Sequence, residues 1–82
     1  MSVKEVVKET ILQVIDNDEV EKYLERDDGL SVIGINSVSF IEIVVILEKK
    51  FHIKFENEDL DYKKFISLED LCKYISERIN LL

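Results

Sequence analysis

Ser37 is the residue whose type and position best suit a chemical modification. It follows Gly34, Ile35 and Asn36 and stands at the predicted start of a helix. The first turn of a helix presents backbone N–H groups without partners and the positive end of the helix dipole, and both favour an anion. A phosphodiester on the Ser37 hydroxyl would suit this position. The alternative is that Ser37 only caps the helix, which is the commoner role of a serine in so short a pattern.

Other catalytic and metal chemistry finds few candidates in the sequence. Cys72 is the only cysteine, so no internal disulfide can form, and this agrees with a reducing cytoplasm. His52 is the only histidine, and one histidine with one cysteine cannot build a zinc site of the usual ligands. Ile35 and Ser39 occupy the places where a serine nucleophile elbow has glycines. We therefore expect no metal site, no catalytic residue and no enzymatic activity.

The composition predicts one compact domain over residues 1–82. Eighteen acidic side chains against 11 basic ones give a net charge of −7, which disfavours nucleic acid as a partner. The longest apolar run lies between Glu42 and Glu48 and is too short to span a membrane. The first residues also lack the apolar core of a signal peptide. We expect a monomer in the cytoplasm.

Apolar residues at helical spacing predict three main helices. Ser2 and Glu5 have the spacing of a capping box, and a first helix is expected over residues 3–16. A long loop follows, and a second helix runs from Asn36 or Ser37 to residue 51. Residues 57–65 hold at most a short helix, and the last helix begins after Ser67. The predicted fold class is all-α: a small four-helix bundle of three main helices and one short helix, with the long loop between helices 1 and 2.

The spacing also predicts which face of each helix is buried. The apolar positions of the second helix at three- and four-residue steps are Val38, Ile41, Val44, Val45 and Phe51, with Glu48 in register, whereas Ser39, Glu42, Lys49 and Lys50 turn outward. The corresponding positions of the last helix are Leu68, Leu71, Cys72, Ile75, Ile79 and Leu82. Cys72 is therefore expected to be a small buried hydrophobe rather than a reactive thiol.

The stretch from Gly34 to Ile53, GINSVSFIEIVVILEKKFHI, resembles the attachment-site helix of acyl and peptidyl carrier proteins. The motif of that family begins with a glycine, an apolar residue and Asp-Ser, which are followed by another apolar residue. Glu-Leu, Leu-Glu and a closing Phe-x-Ile come after it in that order. Chain length, acidity, helix order and the Ser-Leu-Glu-Asp-Leu sequence at 67–71 extend the resemblance over nearly the whole chain.

The resemblance implies that Ser37 receives 4'-phosphopantetheine from coenzyme A through a phosphopantetheinyl transferase. The thiol of the arm would then carry an acyl or aminoacyl group as a thioester, supplied by a loading ligase and passed to downstream synthase enzymes. This assignment explains a chain without catalytic residues, since the cofactor supplies the reactive sulfur.

The residues around Ser37 are the expected partner-recognition surface: Asn36, Val38, Phe40, Glu42, Val45 and Glu48. Asn36 replaces the usual Asp of the family, although an amide can still cap a helix. Phe40 either lies exposed beside the arm or packs against the long loop. Ser39 and Lys49 depart from the acidic pattern of fatty-acid carriers, which favours a specialised polyketide or nonribosomal-peptide type of pathway.

Three alternatives remain open from the sequence. Within the family, they are a carrier for fatty-acid synthesis or a D-alanyl carrier. Outside it, the chain could be an unmodified helical interaction module that docks Phe40 and Val45 into a partner groove. The bulky side chains expected around the second helix leave little space for a long alkyl chain, so the loaded group should stay mostly in solvent.

Overall fold

The computed structural model describes residues 2–81, which form helices and turns with no strand. The α-helices are α1 (Val3–Val14), α2 (Val20–Tyr23), α3 (Gly29–Val32), α4 (Ser37–Phe51) and α5 (Leu68–Ile79), and short 3-10 helices lie at Asn57–Asp59 and Tyr62–Lys64. The three main helices are α1, α4 and α5, and α1 contacts both of the others. The predicted all-α architecture is therefore confirmed. The predicted short helix at 57–65 is a pair of 3-10 turns.

Helix α1 begins as predicted and ends earlier than predicted. The Ser2 hydroxyl accepts a hydrogen bond from the Glu5 N–H at 3.1 Å. The expected end at residue 16 is wrong, because Ile15 is already extended, with φ −103° and ψ 95°. Asn17 starts a local turn beyond it, in which its side-chain oxygen accepts a hydrogen bond from the Glu19 N–H at 2.9 Å.

The long connection between α1 and α4 is ordered by two one-turn helices. Val20, Leu24 and Leu30 are buried and anchor it to the core. The Leu30 N–H also donates to the Ile66 carbonyl at 2.9 Å, which ties the connection to the segment before α5. A Cβ on Gly29 would lie 2.5 Å from the Tyr23 backbone oxygen, so the turn between α2 and α3 closes only with glycine there.

The buried face of helix α4 overlaps the predicted one at Val44 and otherwise differs from it. Its buried residues are Phe40, Ile43, Val44 and Leu47. Of the residues predicted to face inward, Val38 is 68% exposed, Ile41 42% and Val45 42%. These three residues form the apolar stripe of α4. The prediction fails because α4 is apolar around most of its circumference, so periodicity alone does not select the buried face.

Helix α5 follows its prediction closely. The Ser67 hydroxyl accepts from the Asp70 N–H at 3.1 Å, and the Asp70 carboxylate accepts from the Ser67 N–H at 3.2 Å. Leu68, Leu71 and Ile75 are buried, as predicted. The predicted position Leu82 lies outside the described residues.

Candidate functional site

The backbone before Ser37 turns sharply into α4. Gly34 has φ +80°, in the left-handed region that glycine adopts without strain. An added Cβ there would meet open space, so the backbone angle and not crowding calls for glycine. Asn36 then returns to an extended conformation, with φ −119° and ψ 179°, immediately before the first helical residue.

Asn36 and Ser39 cap α4 between them. The Asn36 side-chain oxygen accepts a hydrogen bond from the Ser39 N–H at 2.9 Å, and the Ser39 hydroxyl oxygen accepts one from the Asn36 N–H at 3.0 Å. This reciprocal arrangement satisfies donors that the helix start leaves free. The capping role considered for Ser37 is thus performed by its neighbours Asn36 and Ser39. The same hydrogen bonds explain why a serine occupies position 39.

Ser37 is the first helical residue of α4, and it is exposed. The N–H groups of Ser37 and Val38 have no acceptor within a helix that begins at this point. The first turn contains no acidic side chain that would oppose an anion. These features fit a phosphate ester on the Ser37 hydroxyl, because two amides and the positive end of the helix dipole face the same region.

The apolar stripe starts beside this serine. Ser37, Val38, Ile41 and Glu42 line a shallow surface depression whose lining is mostly apolar. Ile41 lies in this depression although its spacing predicted a place on the buried face. The signal for it was present in the unbroken apolar character of α4, which implies that some apolar residues remain uncovered.

Two residues expected at the partner surface have structural roles instead. Phe40 is only 2% exposed and stacks on Phe65 with ring centroids 5.5 Å apart. It therefore packs inside the protein. Of its two predicted placements, the exposed one beside the arm is wrong, and its stacking partner Phe65 lies after α4 and not in the long loop. Glu48 is half-buried, and its Oε2 accepts a hydrogen bond from the Phe55 N–H at 2.9 Å.

Glu42 and Glu48 do not form one acidic patch. They lie six positions apart in α4, which places them about 120° from each other around the helix axis. Glu42 is exposed beside the depression, whereas Glu48 holds the segment that follows α4. Of the two carboxylates, only Glu42 presents an exposed charge next to Ser37.

Cys72 lies half-buried against the core, close to its predicted environment. Burial, with a smaller contribution from the Glu69 carboxylate, raises the pKa of its thiol to about 11. The group is therefore a neutral thiol at neutral pH and a poor nucleophile. His52 ends α4 in a left-handed conformation, and its backbone N–H donates to the Glu48 carbonyl.

Residues 2–81 contain neither a metal-binding cluster nor a membrane-spanning helix. No group of three His, Cys, Asp or Glu side chains is arranged to hold a metal ion in this part of the chain. Its helices also include none that is both long enough and apolar enough to cross a membrane.

Comparison with known proteins agrees with the geometry. The family described as "Phosphopantetheine attachment site" matches residues 5–75. The acyl carrier protein of Desulforapulum autotrophicum is 24% identical over 78 residues, covering 95% of this chain and 99% of that protein. The acyl carrier protein of Wolinella succinogenes is 27% identical over 75 residues, covering 92% of this chain and 95% of that protein. No solved structure matches the chain significantly.

The family match covers most of the chain and includes all of α4 and most of α1 and α5. Its members are carriers and not enzymes, and they bear a covalently attached 4'-phosphopantetheine that supplies the reactive thiol. The start of α4 can accommodate the phosphate of such a group. The chain therefore belongs to the phosphopantetheine attachment-site family of carrier proteins.

Proposed function

We propose that the chain is an acyl carrier protein and that Ser37 is its attachment residue. The observation that carries this proposal is the division of roles at the start of α4. Asn36 and Ser39 make the cap, and this leaves the exposed Ser37 hydroxyl without a structural task. A serine in this position is accessible to another protein and adjoins amides that favour a phosphate.

The modification transfers phosphopantetheine from coenzyme A to the Ser37 oxygen. A bond forms between Ser37 Oγ and the phosphorus atom, and the phosphoanhydride bond of coenzyme A breaks. Adenosine bisphosphate leaves, and the transferase accepts the serine proton. This chain contributes the placement of the hydroxyl, the helix dipole that stabilises the added negative charge, and the surface on which the transferase docks.

Intact-mass measurement tests the attachment residue. The purified chain is incubated with coenzyme A and a broad-specificity phosphopantetheinyl transferase, and we expect a mass increase of one phosphopantetheine. Ser37→Ala should remain folded and gain nothing, whereas Ser76→Ala, a change at an exposed serine of α5, should be modified like the parent chain. An unmodified parent chain would favour an unmodified helical interaction module, and modification of Ser37→Ala would move the site elsewhere.

The proposed partner surface is the apolar stripe together with Glu42. Val38, Ile41 and Val45 are exposed along one side of α4 and lead away from Ser37. Apolar side chains at such spacing are suited to a groove or helix of another protein. Glu42 adds one carboxylate beside the serine for a basic side chain of the transferase, the loading ligase or a downstream synthase.

We further propose that the chain serves a specialised polyketide or nonribosomal-peptide type of pathway. Support comes from the bulk of the side chains behind α4. Phe40 stacks on Phe65, and Phe65 meets Phe55 and Tyr74 edge to face. Such packing leaves little space for a long alkyl chain, although hiding one would gain about 0.8 kcal/mol per buried CH₂. The cargo is therefore expected to remain in solvent.

NMR of chains loaded with acyl groups of increasing length tests the pathway proposal. We expect the methyl and amide shifts of the core to change little between the free-thiol form and a medium-chain acyl form, and stability to stay constant as the acyl chain lengthens. The free-thiol form is the reference for both measurements. Widespread shifts of core methyls, with stability rising with chain length, would instead favour fatty-acid synthesis.

A further inference from the structure

A groove at the C-terminal end of α4 carries an excess of positive charge on an otherwise acidic chain. We call it the basic groove, and its lining residues are Val45, Glu48, Lys49, His52, Ile53, Lys54, Arg78 and Leu81. Three of these side chains are lysine or arginine and one is a glutamate, whereas the whole chain has a net charge of −7. The sign of the local charge is therefore opposite to that of the molecule.

Two of the cations are available to a partner. Lys49 and Lys54 are exposed, and no carboxylate within residues 2–81 lies within 4.0 Å of either ammonium group. Arg78 is already engaged, because its Nη2 lies 3.1 Å from Glu56 Oε1 and its Nε donates to the Lys54 carbonyl at 3.0 Å. The Glu48 carboxylate is occupied by the Phe55 N–H. This hydrogen bond leaves the negative charge of Glu48 in place. With Arg78 paired to Glu56, the ammonium groups of Lys49 and Lys54 outweigh the one Glu48 carboxylate, so the groove keeps a net positive charge.

The basic groove continues the apolar stripe. Val45 belongs to both, so an apolar path runs from Val38 beside Ser37 to the edge of the groove. Lys49 lies about 18 Å from Ser37 along the helix axis. The side of α4 that carries the stripe therefore begins with the negative charge of Glu42 and ends with the positive charges of Lys49 and Lys54.

We propose that the basic groove docks an acidic segment of an enzyme that acts on this carrier. The segment would place an aliphatic side chain against Val45 and its carboxylates near Lys49 and Lys54. Charge complementarity selects this occupant, since a basic partner surface that suits Glu42 is repelled at the far end of the stripe. The inference rests on the proposed carrier function and adds to it the charge pattern of the partner.

Designed peptides provide the probe. Two helical peptides of equal length, acetylated and amidated, carry the same leucines at i, i+3 and i+7, with Glu at the flanking positions of one and Lys at those of the other. Each is titrated into isotope-labelled protein while the amide shifts are recorded. We expect the Glu peptide to shift the amides of Val45, Lys49 and residues 52–54, and its binding to weaken as salt is raised.

Charge reversal identifies the contributing residues. Lys49→Glu with Lys54→Glu should weaken binding of the Glu peptide about tenfold. Lys22→Glu with Lys73→Glu changes the net charge equally at exposed lysines outside the groove and should change binding less than about twofold. Equal losses in the two double variants, Glu-peptide shifts outside the groove, or no binding by the parent chain would each overturn the inference. The same samples are also incubated with coenzyme A and the transferase, and their intact mass shows whether Ser37 is modified. This measurement tests the carrier function separately from the groove.

Discussion

Helices α4 and α5 begin alike and differ in how much of their apolar surface the fold covers. Each starts with a reciprocal capping box, Asn36 with Ser39 and Ser67 with Asp70. In α5 the inward positions Leu68, Leu71 and Ile75 are buried, and most other positions are polar or charged. In α4 a buried apolar face coexists with the exposed apolar stripe.

The difference separates residues that the fold requires from residues that it does not. A helix needs one apolar face to pack against a core, and α5 has little more than that. The stripe of α4 contributes little to packing and leaves apolar surface in water, which is typical of a contact site. Its position directly after Ser37 associates that contact with the proposed attachment residue.

The largest expected effect is a loss of stability when the buried face of α5 is truncated. Leu71→Ala and Ile75→Ala each remove buried apolar volume and should lower the free energy of unfolding by about 2 to 5 kcal/mol. Val45→Ala removes exposed apolar volume and should change it by less than about 0.5 kcal/mol. Urea denaturation of the three variants beside the parent chain measures both values.

The same variants also test whether the apolar stripe contacts partner enzymes. Val45→Ala, although stable, should slow the modification of Ser37 by the transferase or the turnover of a later partner enzyme. If Val45→Ala were as destabilising as Leu71→Ala, the stripe would be part of the core after all. Unchanged stability combined with unchanged partner kinetics would remove Val45 from the proposed contact.

The sequence predicts the buried face of α5 better than that of α4, because the apolar residues of α5 mark one face and those of α4 mark several. In α5 charged residues separate the apolar ones, so only one face can be buried. In α4 the consecutive apolar residues 43–47 allow several faces, and contact with Phe65 places Phe40 inside. The sequence context of Ser37 led to its proposal as the attachment residue. The sequence allowed either Asn36 or Ser37 to cap the helix, and the structure shows that Asn36 does so together with Ser39.

Contacts between distant residues account for most of what the sequence did not predict. Thr10 is fully buried, and its hydroxyl donates to the Val6 carbonyl at 2.8 Å and accepts from Lys50 Nζ at 3.2 Å. Neither the burial of a threonine nor the partner of an exposed lysine follows from local spacing. The contact of Glu48 with the Phe55 N–H is another that spacing does not predict, and it engages a carboxylate that the sequence assigned to the partner surface.

The smallest expected effect concerns the two helix caps. Asn36→Ala and Ser67→Ala each remove a side-chain acceptor from a capping box, and each should lower the free energy of unfolding by about 1 kcal/mol. Thermal or urea denaturation measures this loss. Similar losses would show that the two caps have equal structural value despite the different roles of their helices.

The two cap variants should nevertheless differ in the rate at which Ser37 is modified. Asn36→Ala loosens the turn that presents the Ser37 hydroxyl and should slow the transfer of phosphopantetheine, whereas Ser67→Ala loosens only the start of α5. Asn36→Asp restores a capping oxygen and should recover stability. The modification rate of Asn36→Asp then shows whether the capping oxygen or the amide group of Asn36 matters for the transfer. A rate near the parent value means that the capping oxygen alone matters at this position. Equal slowing by Asn36→Ala and Ser67→Ala would mean that general stability, and not the local geometry of α4, controls the modification.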